Sequence, residues 1–179
     1  MIFAILAVVT LILFFNGLMV LGKFSGRQVA VMNIAAGVSI WAMGLSIGVT
    51  DGLKAVGPTQ SFAAAASCLV FAFTYIILAA EIFFGTDFKA LGWYCFMGGI
   101  IMFLISLGFF HVIGTTLVAS TQFGLFWLLW AILFWLFWLC WGLSKTGLVK
   151  FTGWYTIFTA ICTCLYPTIA FLNYGRIGW

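Results

Sequence analysis

Side chains able to do chemistry are few and widely spaced in this chain. Glu81 is the one carboxylate inside a long apolar run, and His111 is the one histidine. A single histidine excludes a bis-histidine haem, a histidine-rich metal site and a histidine-based catalytic triad. The cysteines (Cys68, Cys95, Cys140, Cys162 and Cys164) all lie within apolar runs and form no CxxC pair, the usage of small packing residues. No P-loop, no GxGxxG after a strand and no pair of catalytic carboxylates is present, so no enzyme, no cofactor and no metal are expected. Two readings of Glu81 stay open. It lines a pathway as a hydrogen-bond acceptor for an amide NH2 group, or it is an interfacial carboxylate satisfied by Lys23 or Lys89. Burying it charged at mid-membrane would cost about 2.5–3.5 kcal/mol. His111 reads as an interfacial residue.

Composition says what must position these groups. Of 179 residues, 66% are apolar, 20% aromatic and only 6% charged; globular domains carry roughly 25% charged residues. So few charges cannot coat a water-exposed surface, and so much apolar surface excludes disorder. An integral membrane protein remains, as one domain over residues 1–179. The net charge of +4 comes from scattered Lys and Arg, which suits loop anchors at a lipid surface and no nucleic acid. No basic segment precedes the first apolar run, so it reads as a retained helix rather than a signal peptide.

Six runs reach the roughly 20 residues that span a bilayer: about 1–22, 29–49, 62–84, 91–111, 121–144 and 151–172. Unpaired backbone is excluded from lipid, so continuous apolar runs must be helices rather than the alternating strands of a barrel. Lys23, Arg27, Lys89, Lys145 and Lys150 lie on one side, Lys54 and Arg176 on the other. This asymmetry puts the first side in the cytoplasm and both termini outside.

An internal repeat is present. Lys89-Ala90-Leu91-Gly92-Trp93-Tyr94 and Lys150-Phe151-Thr152-Gly153-Trp154-Tyr155 both read K-x-x-G-W-Y and both open an even-numbered span. Arg27 stands at the corresponding place in the second span. The chain therefore reads as three tandem two-helix hairpins around an axis normal to the membrane, with a pathway inside one protomer. At about 100° per residue, Ile2, Leu6, Val9, Leu13 and Asn16 share one arc of the first span. Phe73, Ile77, Glu81 and Phe84 share an arc of the third. Trp127, Trp130 and Phe134 line a stripe of the fifth, and Thr159 and Tyr166 one of the sixth. These are the candidate pore-lining residues. Indoles deep in a span, such as Trp130, Trp135 and Trp138, can form slots for planar solutes.

Several segments then carry a resemblance. Phe15-Asn16-Gly17, Ala30-Val31-Met32-Asn33, Phe71-Ala72-Phe73-Thr74-Tyr75 through Gly85-Thr86-Asp87, Gly92-Trp93-Tyr94, Trp127-x-x-Trp130 and Lys150-Phe151-Thr152-Gly153-Trp154 together resemble the AmiS/UreI family of urea and short-chain amide channels. The resemblance covers nearly the whole chain. It implies a six-helix protomer with its own pore, assembled as a homohexamer around a lipid-filled centre, with both termini outside a bacterial inner membrane. It implies aromatic and aliphatic constrictions, carried onto Ile2, Leu6, Val9, Leu13, Asn16, Phe73, Trp127, Trp130 and Phe134. A cytoplasmic urease or aliphatic amidase follows by analogy as a partner. Thr159 stands where urea channels of the family carry a carboxylate, and Ile77 where a tyrosine follows the third-span phenylalanine. Short outer loops replace the long titratable loop of an acid-gated member. The expectation is a passive channel for small neutral amides (urea, acetamide, formamide) that is not acid-gated. The alternative is a proton-coupled amide carrier using Glu81.

Overall fold

A computed structural model describes residues 2–50, 58–115, 117 and 119–174, with backbone alone at 2, 49–50 and 58–62. Among these residues the secondary structure is entirely helical. Helix α1 (Ile2–Val20), α2 (Gly26–Thr50), α3 (Pro58–Phe84) and α4 (Lys89–Phe109) are uninterrupted. Helix α5 (Thr121–Phe137) runs into a π-helical turn, Trp138–Gly142. After a 3-10 turn (Thr146–Leu148) comes the last span: α6 (Val149–Ala160), a π-helical turn (Ile161–Leu165) and α7 (Tyr166–Tyr174). The resulting six spans are each long and apolar enough to cross a membrane.

Local chemistry sets the helix entries. Ser25 and Gln28 form a reciprocal capping box before α2: Ser25 N–H donates to Gln28 Oε1 at 3.0 Å, and Gln28 N–H donates to Ser25 Oγ at 3.4 Å. Ser120 Oγ accepts from Phe123 N–H at the start of α5. Pro58 occupies the first position of α3, where its missing N–H costs no bond. The π-helical turn at Ile161–Leu165 is followed within two residues by Pro167. A proline ring clashes with the carbonyl four residues back and donates nothing to it, so the ladder widens there.

The spans form a closed ring in chain order, with α1 against the last span. The closest packing joins α2 to α3, α4 to α5 and α1 to α6, so each tight pair bridges two successive hairpins. Small residues explain this. A Cβ on Gly37 would lie 3.0 Å from the Ala72 carbonyl oxygen, and one on Gly17 2.9 Å from that of Gly153. Gly92 meets the backbone of Gly142 with no room for a side chain. Such close approach is how helices gain packing where lipid supplies no hydrophobic drive between them. The loops bearing Lys23, Arg27, Lys89, Lys145 and Lys150 share one face, called here the basic face. Helix α1 starts and α7 ends toward the opposite, terminal face.

Candidate functional site

The odd-numbered helices supply most of the wall of two cavities stacked along the ring axis. The outer chamber, toward the terminal face, has about 110 Å³ open to water centres. Leu6 and Val9 of α1, Ser67 and Cys68 of α3, and Phe123 and Trp127 of α5 line it. The inner chamber, toward the basic face, has only about 30 Å³. Leu13 and Asn16 of α1, Tyr75 and Leu78 of α3, Cys95 of α4 and Phe134 of α5 line it. A single water needs at least about 10–15 Å³, so the inner chamber is narrow but open.

Phe71 and Trp130 belong to both chambers. Their rings meet edge-to-face, centroids 4.2 Å apart with 63° between planes. Phe71 also stacks on Trp127 at 6.4 Å and tilts against Phe134 at 5.5 Å. One α3 ring thus bears on three α5 rings and forms a septum between the chambers. Aromatic pairs of this kind add about 0.5–1.5 kcal/mol each beyond buried area.

The two chambers offer different polar atoms. In the outer one, Ser67 and Thr163 hydroxyls donate back to the Ala63 and Thr159 carbonyls at 2.6 and 2.7 Å. Those two hydroxyls keep only acceptor capacity toward the chamber. In the inner one, Tyr75 Oη is buried and has no hydrogen-bond partner. Asn16 pairs reciprocally with Asn33: Asn16 Nδ2 donates at 3.0 Å and Asn33 Nδ2 donates back at 2.8 Å. Each amide keeps one donor and one acceptor beyond that pair, and Asn33 spends its donor on the Val29 carbonyl. Asn16 keeps both. Among the described residues no carboxylate and no cation lines either chamber.

The helix arcs expected from sequence meet the chambers unevenly. Leu6, Val9, Leu13, Asn16, Trp127, Trp130 and Phe134 all border one or both; the side chain of Ile2 lies outside the described residues. On α3 the arc is corrected. Phe73 and Phe84 point outward, 45% and 83% exposed, and Ile77 packs against the core without reaching either chamber. Phe71, Tyr75 and Leu78 take that place. A shift of two residues turns a helix by about 200°. Because α3 is apolar nearly all round, its sequence holds no contrast to choose between opposite faces. Phe71 and Tyr75, one turn apart, border the chambers where Phe73 and Ile77 were expected.

Glu81 is buried but borders neither chamber. Its Oε1 accepts the Leu91 N–H at 3.1 Å. Phe88, which precedes α4 in a left-handed conformation, supplies no side-chain cap. Glu81 therefore caps α4 from a neighbouring helix through Oε1, while its Oε2 is buried without a partner. Thr159 is fully buried and donates to the Tyr155 carbonyl at 2.8 Å, away from both chambers, and Tyr166 borders neither of them. The His111 ring engages the Leu117 carbonyl at 2.8 Å in a loop on the terminal face. The five cysteines are free thiols. Among the described residues no cluster of His, Cys, Asp and Glu could hold a metal.

A ring of six membrane-length helices enclosing two stacked chambers, with no charged group among the described lining residues, is the architecture of a transport protein. The family model of AmiS/UreI family transporters matches residues 1–174, and the chain belongs to that family. It is 30% identical over 162 residues to a protein of Rhodococcus erythropolis assigned as transporter AmiS2, covering 90% of this chain and 74% of that one. It is also 30% identical over 166 residues to a protein of Mycolicibacterium smegmatis assigned as a transporter of amidate substrates, covering 90% and 72%. The crystal structure of the Helicobacter pylori urea channel superposes with a TM-score of 0.80 at 26% identity, covering 99% of this chain and all of that one. The closed-state cryo-EM structure of that channel gives 0.82 at 24% identity, with the same coverage. The family's members are channels and transporters, not enzymes.

Proposed function

We propose that this protein is a passive channel for small neutral amides such as formamide, acetamide and urea, and that they cross through the two chambers past the Phe71–Trp130 septum. The carrying observation is the unpartnered Tyr75 hydroxyl in a mostly apolar inner chamber. A buried hydroxyl without a partner costs about 1–3 kcal/mol, and an amide carbonyl passing Tyr75 relieves that cost transiently. Asn16 has a spare donor and acceptor on the same wall. Apolar walls offer nothing to replace the hydration shell of an ion, so salt is excluded. The touching Phe71 and Trp130 rings part to let a planar solute pass edge-on. Glu81, tied to the start of α4 and away from both chambers, favours passive flow over proton coupling. The lysine-rich face lies in the cytoplasm of a bacterial inner membrane, both termini lie outside, and protomers assemble as a homohexamer in lipid. The product amide feeds a cytoplasmic urease or aliphatic amidase. With one histidine in the whole chain, the conduit is not acid-gated.

Stopped-flow light scattering on proteoliposomes tests this. Formamide, acetamide and urea should enter faster than through protein-free liposomes, sodium chloride should stay out, and an imposed pH gradient should drive no accumulation. Entry no faster than bare lipid, or uphill accumulation on a proton gradient, contradicts the proposal.

A further inference from the structure

Two tyrosines occupy equivalent places in the internal repeat. Tyr94 and Tyr155 each close a K-x-x-G-W-Y segment near the start of an even-numbered span. The Tyr94 hydroxyl crosses to α3 and donates to the Val70 carbonyl at 2.9 Å. The Tyr155 hydroxyl crosses to α5 and donates to the Leu129 carbonyl at 3.2 Å. Val70 and Leu129 immediately precede Phe71 and Trp130, the two rings that close the septum. A helical carbonyl keeps a second lone pair after its ladder bond, which at Val70 the Tyr94 hydroxyl shares with the Thr74 hydroxyl at 2.8 Å, so neither contact breaks a helix. In a span, no bulk water competes for the hydroxyl. The first repeat copy is the control. It has Met32 at the tyrosine position and contributes no ring to the septum. Each of the two copies that supply a septum ring also supplies a tyrosine holding the peptide unit just before a ring.

We propose that Tyr94 and Tyr155 are positioning residues for size selection. They fix the backbone behind Phe71 and Trp130, hold the two rings edge-to-face, and so set the largest neutral solute that passes. This rests on the reading of the two chambers as the amide path. Removing either hydroxyl deletes no lining side chain and lets its septum ring move more freely.

The test compares wild type, Tyr94→Phe, Tyr155→Phe and the double variant in proteoliposomes. The readouts are the propionamide-to-formamide permeability ratio and the melting temperature. Each single variant should raise the ratio about threefold, within the about two- to tenfold that one hydrogen bond can supply. The double variant should exceed both. Tyr174→Phe, at an exposed position of α7, should keep the wild-type ratio. An unchanged ratio overturns the proposal, whether total flux is retained or falls equally for all solutes; an equal fall means the hydroxyls only hold helices together. For a variant that does not assemble, 3-fluorotyrosine at the same position gives a stronger donor and must lower the ratio; no change overturns the proposal. Wild-type liposomes no faster than bare lipid would instead remove the channel reading itself.

Discussion

The two chambers share a wall and differ in nearly everything else. The outer one is the larger, and its Ser67 and Thr163 hydroxyls are spent on their own helices. The inner one has about a quarter of that space, about 30 against 110 Å³, and holds the uncommitted Tyr75 hydroxyl and part of the Asn16 amide. A vestibule can be wide and indifferent because it only has to strip bulk water. A filter needs both a narrow bore and a polar group that trades briefly with the solute. On the proposed amide path, selectivity belongs to the septum and the inner chamber.

Removing the septum should break the comparison most completely. Phe71→Ala joins the chambers and should raise propionamide permeability relative to formamide about tenfold, equivalent to about 1.4 kcal/mol. The same change should destabilise the protein by about 3–5 kcal/mol, read by denaturation in detergent. Next comes Gly98→Ala. A Cβ there would lie 2.6 Å from the Phe134 ring, which must shift on the inner wall. Overpacking of this kind costs about 1–3 kcal/mol, and permeability to every amide should fall in stopped-flow. Tyr75→Phe sharpens the comparison at smaller scale. Amide permeability should drop about threefold, the lower range for one hydrogen bond, while the melting temperature holds or rises because an unpartnered hydroxyl is gone.

The smallest effect lies outside both chambers. Lys89 contacts Asp87 at 2.9 Å on the basic face, with both side chains well exposed. Hydrogen bonds from Lys89 hold the Asp87 carboxyl below its ordinary value of 3.8. A carboxyl depressed in the folded state stabilises above its ordinary pKa and loses that contribution as pH falls through the depressed value. Asp87→Asn should therefore lower the melting temperature slightly and by the same amount at pH 5 and pH 8, with amide flux unchanged.

Much of this was legible in the sequence. Apolar run length gave six spans within a few residues, while the Ser25–Gln28 cap of α2 went unread. The K-x-x-G-W-Y repeat located Gly92 and Gly153, where helices touch backbone to backbone. The α1 and α5 arcs also met the chambers, since Asn16 and the closely spaced indoles mark one side of each helix. The α3 arc did not. Phe71, Phe73, Ile77 and Leu78 are all large and apolar, so only packing against α2 selects the inward face. Tyr75 was legible in principle: it is the polar-tipped residue one turn from Phe71. The pairing of α2 with α3 rather than α1 was hidden because hairpin connectivity says nothing of which glycines will meet. The π-helical turn at Ile161–Leu165 had a visible cause in Pro167, but the one at Trp138–Gly142 had no sequence mark.

Two native thiols offer the most direct test of the conduit. Cys68 lines the outer chamber and Cys95 the inner one. Methyl methanethiosulfonate, small and neutral, adds a methylthio group to an accessible thiol. Acetamide flux through wild-type proteoliposomes should fall as mass spectrometry records the label on Cys68, while a Cys68→Ala, Cys95→Ala variant should conduct undiminished after the same treatment. Undiminished wild-type flux with Cys68 fully labelled, or equal block in the double variant, would place the amide path elsewhere.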